Sequence, residues 1–285
     1  MELKRDRAIV LRSIAFQERH RVVTALTENH GLISAMARNA IQSRRFGGSL
    51  DIFSASNWAF SEKPNADLAY LQEAQILRSY DGLRGDFGRL SLASLFNELM
   101  LKLAPQQQPA PDLFKLHSNA LAVLEELPES NSDNRTLLTL LNGYFAKILQ
   151  WSGSQPRLAE CMQCEKSLTT IPLEATLTCL IADAGWICPD CRDDSTKHIS
   201  DRRTNTGTGL ALMRVSPAAI YDFHISLMQP IRQIPTAAVG SEKDHRDLYR
   251  LLEALFIFHL PGFDKEPLKS LRFLGLESSV KYRPA

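Results

Sequence analysis

Four cysteines set as Cys161-Met-Gln-Cys164 and Cys188-Pro-Asp-Cys191, with residues 165–187 between the pairs, constrain this chain more than any other feature. Two residues between cysteines let both sulfurs turn to one side of a tight knuckle, and two knuckles supply four thiolates in a tetrahedron. The spacing predicts one structural Zn2+. Disulfides, a redox dithiol or an iron–sulfur cluster are the rival uses of such pairs. The start Met1-Glu-Leu-Lys-Arg-Asp-Arg7 is charged and no apolar signal stretch follows it, so a cytoplasmic location is expected, where structural disulfides are disfavoured. Neither pair opens a helix within a βαβ unit, as a thioredoxin-like site requires. With four protein thiolates the metal has no open position for substrate, so a catalytic zinc is not expected. Cys179, in the apolar run 176–181, reads as a small strand hydrophobe.

At 285 residues the chain is long enough for two or three domains with real cores. Its hydrophobic share of 44% and charged share of 23% are those of an ordinary globular protein. No apolar stretch approaches the ~20 residues of a membrane span, and no membrane partner is expected. The net charge is only +1, but residues 1–50 hold nine Lys/Arg against four Asp/Glu, a local excess of +5. The amino-terminal module is therefore basic.

The predicted fold class is α+β and multidomain: an OB-fold β-barrel, then an α-helical domain carrying a four-cysteine zinc insert. Short β-like runs at 8–14, 22–27, 32–37, 51–60 and 69–76 give about five strands, with a hairpin turn at Asn29-His-Gly31. Five strands in about 80 residues fit an OB-like barrel. From Leu92 the period changes to about 3.6, with Leu95, Phe96, Leu99 and Leu103 on one face. Asp112 is a candidate cap for a second helix, and a third carries Leu137, Leu141, Phe145 and Ile148, ending at Ser152-Gly153. These three faces imply a small bundle. Helical signal resumes at 209–213 and 217–221 and is strongest from Glu242 to Leu260, so helices before and after the insert are expected to share one core. The predicted domains are 1–80, then 81–157 with 204–285, with the insert at 158–203.

Asp86-Phe-Gly88 and His245-Arg-Asp-Leu248 look like protein-kinase signatures, but they stand in the wrong order without a Gly-rich phosphate loop. There is no Gly-x-x-x-x-Gly-Lys-Ser/Thr loop to cradle ATP phosphates either. No catalytic residues are assigned and no enzyme activity is expected.

The candidate binding loop runs from Arg38 to Leu50 and contains Arg44-Arg45-Phe46-Gly-Gly. Guanidinium forks match phosphate oxygens, and adjacent glycines let a strand approach closely. A solvated basic loop is the plainer reading of three arginines, but OB modules commonly bind nucleic acid with a basic groove and stacking aromatics. The candidate DNA-contacting residues are Arg38, Arg44, Arg45, Arg19, Arg21 and Lys4, with Phe46 the stacking candidate. Phe53, Trp58 and Phe60 are assigned to the barrel interior. A second basic cluster near the end includes Lys269 and Arg272.

Taken together these residues resemble the RecO family of bacterial recombination mediators, in its zinc-bearing subset. The likeness is carried by Ala8-Ile-Val-Leu11, Gly31-Leu-Ile-Ser34, Arg44-Arg-Phe-Gly-Gly-Ser-Leu50, Asn97-Glu-Leu99, the four cysteines and Pro267-Leu-Lys-Ser-Leu-Arg-Phe-Leu274. The resemblance implies binding to single- and double-stranded DNA and ATP-independent annealing of complementary strands. It also implies work with RecR, and with RecF, to load RecA onto strands coated by single-stranded DNA-binding protein (SSB), whose acidic carboxy-terminal tail contacts the helical domain. A nucleoid-associated cytoplasmic protein would follow. Arg38, Arg44 and Arg45 match the family's basic loop, and Lys269 and Arg272 its carboxy-terminal basic motif. The alternative reading is an RNA-binding OB and zinc-ribbon protein of translation or transcription, and a thiol redox enzyme is a third.

Overall fold

A computed structural model describes residues 2–41, 45–62, 68–128, 133–154, 156–192, 212–263 and 266–278. The chain divides into two compact units, residues 1–129 and 130–285.

In the first unit, β1 (Leu3–Phe16), β2 (His20–Thr27), β3 (Gly31–Ala37), β4 (Ala55–Ser61) and β5 (Ala69–Arg78) close a barrel in the order β1-β2-β3-β5-β4. The five expected strands are all present, with β1 starting earlier and the fourth later than the sequence suggested. Every neighbouring pair is antiparallel except β3 with β5, where Met36 lies opposite Tyr70 and Ala37 opposite Leu71. Closure is what buries the alternate residues: Val10, Val23, Ile33, Trp58, Phe60 and Leu71 fill one interior. A bulge between Val10 and Arg12 re-aims the long β1 strand as the barrel curves. The hairpin from β2 to β3 turns at residues 28–30, and Gly31 follows at φ +64°. A Cβ on Gly31 would lie 2.3 Å from the carbonyl oxygens of Pro105 and Gln108, so both the angle and the close approach require glycine.

The helices α1 (Phe87–Leu103) and α2 (Pro111–Glu126) pack with this barrel in the first compact unit. Local pattern gives a helix an apolar face but does not say whether a sheet or another helix will cover it. Asp86 of the kinase-like triplet is the N-cap of α1, its carboxylate accepting the Arg89 amide N–H at 2.8 Å. Asp112 is not the cap of α2; it sits in the first turn, after Ala110 at the cap and Pro111 at the first helical position.

The second unit is built on α3 (Asn134–Trp151), α4 (Pro217–Met228), α5 (Ile234–Ala237) and α6 (Glu242–His259). Helix α3 packs against α4 and α6, so of the three helices before the insert it is α3 that shares a core with those after it. Phe145 lies 4.4 Å from Phe256, which lies 5.2 Å from Phe263. A Cβ on Gly143 would meet Ile234 Cδ1 at 2.6 Å, so α3 is approached closely there. Ser241 and Asp244 form a reciprocal capping box at the start of α6. Between α3 and α4 lies an antiparallel sheet in the order β7-β6-β8: β6 (Leu177–Leu180), β7 (Gly185–Ile187) and β8 (Leu212–Val215). The expected helical run at 209–213 is therefore overturned where it is described, since Leu212 and Met213 belong to β8. A short apolar run fits either period, and pairing with β6 decided it.

Candidate metal centre and nucleic-acid face

The metal centre is assembled by two turns brought together at β7. After Cys161 the chain doubles back: the Cys161 amide donates to the Lys166 carbonyl at 2.9 Å, and Glu165, at φ +60°, donates to the Cys161 carbonyl at 2.9 Å. Met162 N–H donates to the Trp186 carbonyl at 3.0 Å, pinning this knuckle to β7. Cys188 immediately follows β7, and its own knuckle closes with Cys191 N–H donating to the Cys188 carbonyl at 3.2 Å. Behind the site Trp186 is fully buried, with Nε1 donating to the Leu158 carbonyl at 2.9 Å.

All four sulfurs lie within 4.8 Å of one another. The Cys164 and Cys188 sulfurs are 3.7 Å apart, which matches the ~3.8 Å edge of a tetrahedron with ~2.3 Å metal–sulfur bonds. Cys161 and Cys188 are buried, Cys191 is half-buried and Cys164 faces solvent. Burial works to raise the Cys161 thiol, but N–H donors from the Cys164, Cys188 and Gln163 backbone outweigh it and hold it at about 7. Burial and neighbouring thiols push Cys188 and Cys191 up. Four sulfurs this close repel as thiolates unless a cation sits among them, so the donor set fits a metal ion. Cys179 stands apart on β6, where burial pushes its thiol up to about 12, consistent with a strand hydrophobe.

On the barrel, Arg38 and Arg45 line one groove of about 490 Å³ together with Met36, Asn39, Tyr70 and Gln72. The Arg38 guanidinium lies 4.7 Å from the Tyr70 ring centre, and that of Arg45 lies 4.5 Å from Phe46. Arg44 lies outside the described residues. Phe46 does not suit the stacking role expected of it: it is 3% exposed and belongs to the barrel core with Leu50 and Trp58. The Ser49 amide donates to the Phe46 carbonyl at 3.0 Å, a turn that folds this aromatic inward.

The other basic candidates differ in their surroundings. Arg19 is exposed in the turn after β1. Arg21 is ion-paired to Asp51 at 3.1 Å beside a second groove of about 890 Å³, which Arg84 and Asp81 also line. Lys4 is paired to Glu62 at 2.5 Å. In the second unit, Lys269 and Arg272 fall in a 3-10 turn (Lys269–Leu274). Arg272 joins Arg246, Arg250, Tyr249 and Glu277 around a pocket of about 360 Å³. Arg246 also borders an apolar cleft of Leu137, Leu138, Leu141 and Leu274. Sequence reading missed Tyr70, Arg246 and Arg250. Arg246 and Arg250 sit one turn apart on α6, an i, i+4 spacing that was open to view, whereas nothing local to Tyr70 announced Arg38 as its neighbour.

A five-stranded barrel with two arginines along one groove, on a chain that also carries a helical unit with a four-thiolate centre, is an architecture found among nucleic-acid-handling proteins. Residues 1–80 match the profile for the amino-terminal domain of recombination protein O, and residues 84–205 that for its carboxy-terminal domain. The chain belongs to the RecO family. It is 34% identical over 226 residues to the DNA repair protein RecO of Pelobacter propionicus, covering 78% of this chain and 85% of that one. It is 30% identical over 213 residues to that of Anaeromyxobacter dehalogenans (strain 2CP-C), covering 74% and 78%. With the protein of Desulfatibacillum aliphaticivorans the identity is 28% over 274 residues, 94% of each chain. Among the described residues no helix is long and apolar enough to cross a membrane.

Proposed function

We propose that this protein is a DNA repair and recombination mediator that binds single- and double-stranded DNA and anneals complementary strands without ATP. With RecR and RecF it helps load RecA onto SSB-coated single strands, working in the cytoplasm at the nucleoid and without catalysing a covalent step. The observation that carries this reading is the pairing of Arg38 and Arg45 in one barrel groove, on a chain of the RecO family. Guanidinium groups there neutralise phosphates on approaching strands and lower their mutual repulsion, so that bases can pair. Arg21 and Lys4 become available to phosphate once Asp51 and Glu62 yield, the exposed Arg19 and the loop residue Arg44 are further candidate contacts, and Lys269 and Arg272 add basic groups on the second unit.

The metal is Zn2+, held by Cys161, Cys164, Cys188 and Cys191. It supplies the fixed point that holds two knuckles and the β6–β7 hairpin together, and it takes no part in binding DNA. The acidic SSB tail finds suitable chemistry at the Arg246–Arg250–Arg272 pocket. The deciding experiment is annealing of SSB-coated complementary strands without ATP, followed by a fluorophore pair. Rapid pairing by the full-length protein is expected. Pairing no faster than with SSB alone, together with tighter binding of RNA than of DNA oligonucleotides, overturns the proposal.

A further inference from the structure

We propose that the groove between the ends of β3 and β5 is a single-nucleotide subsite in which Tyr70 stacks on an unpaired base and Arg38, displaced from the ring, takes the adjoining phosphate. This rests on the DNA-binding reading above and specifies which form of DNA the groove takes. Three observations support it.

The first is topological. The barrel closes through the parallel β3–β5 pair, whose register sets Met36 opposite Tyr70 and Ala37 opposite Leu71. Arg38 is the next residue after β3, so closure alone brings a cation from the basic loop over an aromatic ring 32 positions away in sequence, at 4.7 Å. Tyr70 is half-buried and lines the groove, whereas Phe46, the other aromatic at the loop, is buried in the core. Among the described residues, Tyr70 is thus the aromatic ring that lines this groove.

The second is energetic. A guanidinium over a ring at an exposed site improves an equilibrium by only about two- to fivefold. Stacking a base on an aromatic is worth roughly five- to 150-fold. The base wins that competition for the ring, and the released Arg38 fork gains a phosphate partner. The pair therefore holds the ring in place before binding, which lessens the ordering cost on binding.

The third is the composition of the groove. Its volume of about 490 Å³ is in the range of ~300–1,000 Å³ typical of sites for small ligands. Beside the ring stand groups that suit a base edge: Asn39, and Gln72, whose Nε2 donates to Ser61 Oγ at 3.3 Å. Base stacking requires an unstacked base, so the groove favours single strands over duplex, whereas phosphate contacts alone do not discriminate in this way.

The test uses the full-length protein with three equal-length ligands: a single strand, the same strand with abasic sites throughout, and a duplex, all at one salt concentration. Wild type is expected to bind the abasic strand at least fivefold more weakly than the ordinary strand. Tyr70→Leu is expected to weaken single-strand binding at least fivefold, to leave duplex and abasic binding within twofold, and to be rescued by Tyr70→Phe. Equal wild-type affinity for ordinary and abasic strands, a judgement independent of any variant's folding, overturns the inference while leaving DNA binding intact. Equal weakening of all three ligands by Tyr70→Leu also overturns it. Failure of wild type to bind any of the three overturns this inference and the DNA-binding reading together.

Discussion

Asn97 on α1 donates through Nδ2 to the Leu11 carbonyl on β1 at 3.0 Å, a hydrogen bond spanning 86 residues, and reaches the Val10 carbonyl at 3.5 Å. It lies where β1 departs from β4: the pairing with β4 ends at Ile9, and the bulge follows between Val10 and Arg12. The side-chain amide supplies a donor to backbone that the barrel ladder leaves behind, and it ties the first helix to the sheet. Asn97→Ala should destabilise the first unit by about 1–3 kcal/mol, because a buried carbonyl loses its donor. Urea unfolding monitored by circular dichroism reads this, and an unchanged midpoint would show that water replaces the amide without cost.

The cysteine quartet predicts a simple stoichiometry. Metal analysis should give one zinc per chain, and thiol titration of the native protein should find four protected ligand cysteines and an unreactive Cys179, because its thiolate is disfavoured by burial. Chelation should release the four ligands and unfold the segment around β6 and β7 while DNA binding by the barrel persists. Loss of all DNA binding on chelation would contradict that division of labour.

For the basic loop, Arg44→Ala with Arg45→Ala should flatten the plot of log affinity against log salt for single-stranded DNA by roughly one to two units, at about 0.7 for each phosphate contact removed. Adding Arg38→Ala should flatten it further. Should the slope stay as in wild type, the phosphate contacts lie elsewhere on the chain.

Two buried histidines should make stability depend on pH. His117 on α2 is fully buried, and burial pushes it from 6.5 down to about 3. His245 on α6 is pushed down by burial and by Arg135, against the opposing pull of Asp222 and Asp244, and its Nε2 lies 3.0 Å from Thr139 Oγ1. Each is harder to protonate in the fold than in the unfolded chain, which takes up protons below pH 6.5. Their contribution is therefore full above pH 6.5 and falls as pH drops, for His117 until about 3 at about 1.4 kcal/mol per pH unit, and for His245 in the same direction. Denaturant midpoints at pH 7.5 and 5.5 measure this. His117→Leu should reduce the difference in the first unit; an undiminished difference would assign it to other groups.

The sequence by itself determined what depends on short spacing and local period. The two Cys-x-x-Cys pairs specified the sulfur quartet, because the turns that aim each pair are closed within residues 161–166 and 188–191. Short β-like runs between turn signals specified all five barrel strands, and the 3.6 period specified α1, α2, α3 and α6. The resemblance, resting on fragments scattered from Ala8 to Leu274, reached the family. The structure decided whatever required knowing which surface covers which. An apolar face on α1 is satisfied equally by a helix or a barrel, and Asn97 meeting Leu11 settled it. Leu212 and Met213 became strand because β6 offered an edge to pair with. Phe46, expected to stack, is folded into the core by the turn at Ser49, and the parallel β3–β5 closure sets Tyr70, to which the sequence assigned no role, beside Arg38. Pairing across a closed barrel depends on register between distant segments, and no local pattern encodes that register.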